Sequence, residues 1–275
     1  MGSDARSTRS FAKSIGLARN RAERDAAGAD TTCNCRKHAA HGARTRTDRR
    51  GELRRRRREP DDRRRRSRRS RARSRWLLLG SLAIRTDEGR LANRSVLFAP
   101  DGQIAARYDK IHMFDVAVSE AETYQESKNF RPGDQAVLAR LPWGVLGMSV
   151  CYDVRFPHLY RALAKGGAHF LSVPSAFTKV TGQAHWHVLL RARAIETGCY
   201  MFAPAQGGRH ENGRETFGHS LVVDPWGRVI AEAGEEPAVV IAKVDPAEVE
   251  KARARIPALS HDREFKAPTT VGGGT

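Results

Sequence analysis

Cys151 closes the apolar run GVLGMSV and is followed at once by the polar YDVR, then by a helix start at Phe156–Pro157. A thiol of ordinary pKa, about 8.5, needs a base or a positive field to attack well at neutral pH. The tetrahedral intermediate it makes from a carbonyl needs a donor or a cation beside its oxyanion. At the carboxyl end of a buried strand, facing a helix N-terminus, Cys151 has the location and the field for such chemistry. As a small core hydrophobe it has neither role. Lys110 in RYDKIHMFD and Glu126 in TYQESKNFRPGD are of the right types to contact an oxyanion and to support a proton relay. They also fit a surface lysine and a solvated loop carboxylate, and spacing alone leaves both readings open. His185 and His187 stand two apart on an expected helix, where side chains point to different sides. Cys33 and Cys35 lack the spacing of a zinc site. No metal and no organic cofactor is assigned.

The elements that must position these residues start at Trp76. WLLLGSLAI (76–84) reads as a buried strand. NRSVLFA, the turn PDG and QIAARYDK read as a hairpin ending on Lys110. A loop with FRPGD follows, then a second hairpin, QAVLARL–PWG–VLGMSVCYD. FPHLYRALAKGG (156–167) reads as a helix stopped by its two glycines, and AHFLSVPSA as the returning strand. AHWHVLLRARAIETG (184–198) is a helix bearing Trp186, Leu189, Leu190 and Ile195. CYMFAPAQ, GHSLVVD, RVIAEAG and AVVIAKV are further strands, and PAEVEKARARI (246–256) is the closing helix. Strands joined as hairpins and alternating with helices predict an α/β fold, with one mixed sheet or two sheets covered by helices.

The formal net charge of +18 is confined to one end. Residues 1–75 hold 26 Lys and Arg against 9 Asp and Glu, whereas the remaining residues hold 23 against 22. The basic arm includes RRRRR (54–58) and RRRR (63–66), and beyond Met1 its large apolar side chains are Phe11, Ile15, Leu17 and Leu53. So little apolar surface predicts a largely disordered segment. Its arginines would bind phosphate non-specifically, with steep salt dependence. With no aromatic interleaved and no recognition fold, specific nucleic-acid binding is not expected. Four cysteines are too few for a disulfide framework, and no secretory signal or membrane span is evident. A cytoplasmic protein is expected, with a flexible tail at 271–275.

RYDKIHMFD, YQESKNFRPGD, GVLGMSVCYDVRFPHLYRALA, VPSAFTKVTGQAHWHVLLRARAIET and GHSLVVDPWGRVIAE, in this order, resemble the carbon–nitrogen hydrolase (nitrilase) superfamily. The resemblance runs from Trp76 to about Phe265, within a domain taken as 76–270. It implies an α-β-β-α sandwich, a Glu–Lys–Cys triad with a supporting second glutamate, and a homodimer. By motif position the nucleophile falls on Cys151, the lysine on Lys110 and the supporting glutamate on Glu126. Within the superfamily the segments are most similar to amidases acting on deaminated glutathione and on ω-amides of small keto acids, which implies a small-molecule amide substrate. Tyr152, Asp153, Arg155, Phe177 and Thr181 are the candidate substrate-binding residues. Arg155 would hold a substrate carboxylate or form a structural salt bridge.

The N-terminal quarter departs from that pattern. AAGAD (26–30) resembles the lead into a strand that ends, in the family, on the general-base glutamate. Here TTCNCRKHAA follows, and no carboxylate comes before Asp48. The general base is not identifiable. Residues 31–75 read as an out-of-frame stretch of a GC-rich gene, the alternative being a fused cationic tail on a hydrolase that has lost its base. The domain is then expected to lack its first strands and helices.

Overall fold

The computed structural model describes residues 75–119, 122–211 and 213–271. The expectations for the basic arm, the out-of-frame stretch, Cys33 and Cys35, and most of the tail lie outside these residues.

Two sheets form the frame. In the first, β1 (Leu77–Arg85), β2 (Leu91–Phe98) and β3 (Ile104–Asp109) run antiparallel in that order, and β6 (Phe130–Arg131) adds a short parallel pairing to β2. β4 (Asp115–Ser119) and β5 (Glu122–Gln125) make a separate hairpin in the stretch expected to be loop. The second sheet is ordered β14-β13-β10-β9-β8-β7. Its strands are β7 (Val137–Leu141), β8 (Gly144–Met148), β9 (Phe170–Ser172), β10 (Tyr200–Ala203), β13 (Leu221–Val223) and β14 (Val229–Glu232). A further hairpin, β11 (Gly207–Arg209) with β12 (Glu215–Phe217), stands beside it.

The three central strands β8, β9 and β10 are parallel. Parallel neighbours need crossovers, and two helices supply them. These are α1 (Pro157–Lys165) and α2 (Lys179–Thr197); α3 (Ala247–Arg255) follows the sheet. The carboxyl ends of β8 and β9 therefore lie side by side, and Cys151 and Phe177 both come just after them.

The second sheet is covered on both faces. On one, Leu159, Leu163, Trp186 and Leu190 of the helices meet Leu171, Met201 and Leu221. On the other, Leu78, Leu97 and Tyr108 of the first sheet meet Met148, Phe170 and Phe202. The described layers are thus sheet, sheet and helix. No helix among the described residues is long and apolar enough to cross a membrane.

Three expectations change. β1 is an edge strand among the described residues rather than a buried one: of its nine residues only Leu78 is fully buried, and the strand has a described neighbour on one side only. AVVIAKV (238–244) forms no ladder among the described residues. Val240, Ala242 and Val244 pack on the second core, while Val239 and Ile241 are 87% and 74% exposed. Alternation alone makes a two-faced segment, and a strand also needs a hydrogen-bonding neighbour. Finally, α2 begins at Lys179, earlier than the apolar pattern suggests, because Thr178 caps it by accepting from Thr181 N at 3.3 Å. Gly182 hides this start by its poor helix propensity. It is required there because a Cβ would stand 2.2 Å from Phe217 Cβ.

Candidate active site

β8 ends at Met148, and the chain is then held residue by residue. Ser149 N donates to Ser172 O at 3.1 Å and Cys151 N to Pro174 O at 3.0 Å, both on the neighbouring chain of β9. Cys151 opens a 3-10 turn, Cys151–Arg155, with φ of 51°, a left-handed conformation that a residue with a Cβ adopts only when its surroundings impose it. Asp153 imposes it. This fully buried carboxylate accepts from Val150 N at 2.9 Å and Tyr108 Oη at 2.6 Å through one oxygen. Through the other it accepts from His112 N at 3.0 Å and lies 2.7 Å from His112 Nδ1. From the helix side, Arg193 Nε donates to Val154 O at 2.8 Å. The result is a partly exposed thiol on a fixed backbone at the sheet's carboxyl edge.

Lys110 follows the last residue of β3. Its N–H donates to Asn93 O at 2.9 Å, and its carbonyl accepts from Gly133 N at 2.8 Å. That approach requires glycine, since a Cβ at 133 would sit 2.3 Å from Asp109 O. The lysine is 2% exposed, and its Nζ donates to Glu126 Oε2. Glu126 is fixed in turn by Phe114 N at 2.7 Å and Asn93 Nδ2 at 3.0 Å. A buried ammonium is tolerable only with such a partner. Tyr108 and His112 stand on either side of Lys110, and Val150 and Asp153 on either side of Cys151. The Asp153 carboxylate therefore ties the segment bearing the cation to the segment bearing the thiol.

Arg155, Tyr152 and Phe177 form one wall. The Arg155 guanidinium lies 5.8 Å from the Tyr152 ring centre and 5.4 Å from that of Phe177, with Nη2 3.2 Å from His185 Nδ1. Burial pushes its pKa below the usual value, and among the described residues it has no carboxylate partner. Two other expected substrate contacts are turned inward. Both oxygens of Asp153 are engaged within the chain, and Thr181 Oγ1 meets Thr178 Oγ1 at 2.8 Å in the cap of α2. His187 departs from His185 to reach Glu232 Oε1 at 2.8 Å. Among the described residues no group of three or more His, Cys, Asp or Glu is placed to hold a metal. Sequence reasoning missed Asn93, Tyr108, His112 and Arg193. His112 and Tyr108 were signalled only by flanking the lysine in RYDKIH, and Asn93 by nothing local.

Comparison with known proteins gives a consistent result. The family model described as carbon-nitrogen hydrolase matches residues 67–254. A relative from Synechocystis named deaminated glutathione amidase is 48% identical over 177 residues, covering 64% of this chain and 65% of its own. The chain thus spans less than two thirds of that relative's length. Among solved structures, the NitFhit protein of C. elegans is 41% identical with a TM-score of 0.66, covering 72% of this chain and 49% of that one. A variant of the amidase from Nesterenkonia sp. is 28% identical with a TM-score of 0.55, covering 68% and 70%. In that amidase, acrylamide has undergone Michael addition at the active-site cysteine.

Proposed function

Since this chain belongs to the carbon–nitrogen hydrolase family, we propose that it is built to cleave the amide of deaminated glutathione or of a related ω-amide of a small keto acid, through a thioester on Cys151. The observation that carries this reading is the Asp153 clamp, which holds the left-handed turn at Cys151 and ties it to Tyr108 and His112, two residues before and after the Lys110 that pairs with Glu126. The Cys151 thiolate attacks the amide carbonyl carbon, and the oxyanion faces the Lys110 ammonium. The C–N bond then breaks, the amine leaves with a proton, and the acyl group stays on sulfur. Water attacks the thioester, releasing the carboxylate and restoring the thiol. Arg155, which pairs with no carboxylate among the described residues, takes the keto-acid carboxylate on the acyl side.

Glu126 is committed to Lys110 and to two further donors, so it is a support and not a mobile base. With the general base missing from its expected place, acylation is slowed by about 10²–10⁴-fold. A homodimer is favoured by an exposed apolar stripe on α2, where Val180, Val188 and Ile195 face outward, the last two at 67% and 54% exposure. The alternative of non-specific phosphate binding concerns the basic arm, which lies outside the described residues.

The test is release of 2-oxoglutarate from deaminated glutathione, followed by mass spectrometry over long incubations. A slow release that disappears in Cys151→Ala is expected. Full retention of that release in Cys151→Ala would overturn the mechanism.

A further inference from the structure

The two histidines of AHWH part company on α2. His187 reaches Glu232 of β14, whereas His185 reaches Arg155, the last residue of the turn that Cys151 opens. The His185 Nδ1 lies 3.2 Å from Arg155 Nη2. A guanidinium donates hydrogen bonds and accepts none, so Nδ1 is the acceptor and the imidazole is the neutral tautomer with its proton on Nε2. Side chains on a helix lean toward its N-terminus. His185, in the second turn of α2, therefore leans back toward the start of that helix, where Phe177 lies beside the same guanidinium.

Three groups border the half-buried Arg155 guanidinium: the Tyr152 ring at 5.8 Å, the Phe177 ring at 5.4 Å and the His185 imidazole. The aromatic rings attract the charge but offer no acceptor that would fix which N–H groups point where. His185 supplies that acceptor. With an Nη2 hydrogen held by Nδ1, the remaining N–H groups keep one direction, and a guanidinium recognises a carboxylate through such a fixed fork. Among the described residues neither Arg155 nor His185 forms an ion pair with a carboxylate, and burial lowers the Arg155 pKa against the opposing pull of Tyr152 and Cys151. His158 of α1 is directed to His112 and Phe156 instead. On α2 itself Thr181 and Leu189, one turn to either side of His185, carry no charge.

We infer that His185 is a positioning residue: as a neutral imidazole it aims Arg155 at the substrate carboxylate, and on protonation it lets the guanidinium go. This rests on the amidase reading above, in which Arg155 takes the keto-acid carboxylate. A proton on Nδ1 removes the acceptor and places two cations side by side, so the guanidinium loses its direction and turns away from the ring. Imidazoles take up that proton between about pH 5 and 8. Carboxylic acids of the substrate type titrate near pH 3–4 and stay ionised through the same range. Acidification therefore acts on the protein side of this contact, and it should weaken binding.

The experiment measures binding of deaminated glutathione to the full chain by calorimetry, in a Cys151→Ala background that cannot turn it over. His185→Ala, His185→Asn and Arg155→Ala are made in that background, with melting temperature as the check on folding. At pH 8, His185→Ala should weaken binding by about three- to tenfold, the loss of one hydrogen bond to a charged group. His185→Asn should bind close to the parent, because its amide oxygen accepts from Nη2 without titrating. Between pH 8 and pH 5.5 the parent should weaken several-fold and His185→Asn should stay level. The inference fails if His185→Ala binds like the parent, if His185→Asn is as weak as His185→Ala, or if acid tightens the parent. In each of those cases the amidase reading stands, provided that Arg155→Ala binds more weakly than the parent. If Arg155→Ala binds like the parent, the carboxylate role of Arg155 fails and this inference with it. If the Cys151→Ala protein does not bind the compound at all, the amidase reading itself fails.

Discussion

Replacing Asp153 by Asn is the sharpest perturbation of this site, because it changes one atom and tests the whole clamp. The carboxylate accepts from two backbone N–H groups, Val150 and His112, and from the Tyr108 hydroxyl, and it lies against the His112 ring, all with no solvent access. An amide has one oxygen. In either orientation its NH₂ group faces one backbone N–H, while the Tyr108 hydroxyl or the His112 ring nitrogen can turn to accept. One buried N–H is therefore left unpaired, at about 1–3 kcal/mol, and the remaining bonds lose their charge assistance. A total near 3 kcal/mol corresponds to a fall of about 6–12 °C in melting temperature for a domain of this size. The local effect should be larger than the global one, since the left-handed Cys151 is held by the same carboxylate. The assay pairs calorimetry with alkylation by acrylamide, mapped by peptide mass. In the parent protein Cys151 should alkylate while Cys199 does not. Cys199 is fully buried, and burial pushes its thiol pKa up, so little thiolate exists near neutral pH. In Asp153→Asn the rate at Cys151 should change several-fold while Cys199 stays protected. An unchanged melting temperature together with an unchanged Cys151 rate would refute the view that Asp153 fixes the turn at Cys151.

Two further outcomes follow from other parts of the molecule. Asp262 tethers the C-terminal segment to α1 through Arg161 and Lys165, whose hydrogen bonds hold its carboxyl pKa down to about 2, against 3.8. A depressed acid keeps its contact above the ordinary value and loses it as pH falls toward 2. Protection of the Ala258 and Ser260 amides against hydrogen exchange, taken relative to the intrinsic rate at each pH, should therefore stay constant from neutrality to about pH 4 and fall below it. Flat protection down to pH 2 would mean that the tether holds nothing. The apolar stripe on α2 predicts a dimer by light scattering, and Val188→Asp should shift it toward monomer. A monomeric parent protein at working concentrations would dispose of the stripe as an interface.

The fold was legible where chemistry is local. PDG and PWG announced their turns, the two hairpins beside them formed as expected, and the run ending at Cys151 was placed correctly as an interior strand. The chain's α/β fold is that of the nitrilase superfamily, as five ordered motifs implied. Legibility failed where an element depends on its neighbours. AVVIAKV has the composition and the alternation of a strand, yet pairing is a property of two segments and only one was in view. The hairpins of β4 with β5 and β11 with β12 were missed for the opposite reason. GGR and ETF are too short and too polar to signal strands, and their pairing is fixed by contacts with α2 and the Phe177 segment.

The same distinction explains the site. Lys110, Glu126 and Cys151 are separated along the sequence by 16 and 25 positions, and nothing in their own types says that the segments bearing them are tied together. What joins the segment of Lys110 to that of Cys151 is Asp153, which sequence reasoning placed among the substrate contacts because it sits beside Cys151. A short, exposed aspartate could do that work. A fully buried one, with every lone-pair direction facing a donor from Tyr108, His112 or Val150, cannot turn outward without leaving those donors unpaired. Its burial therefore decides its role: the carboxylate builds the site and does not touch the substrate. Arg155 illustrates the converse. It is flanked by two aromatic rings and an imidazole and has no carboxylate among the described residues, so its charge remains available to a ligand. Of the two charged residues in the YDVR turn, the structure gives the acid to the scaffold and leaves the base without a carboxylate among the described residues.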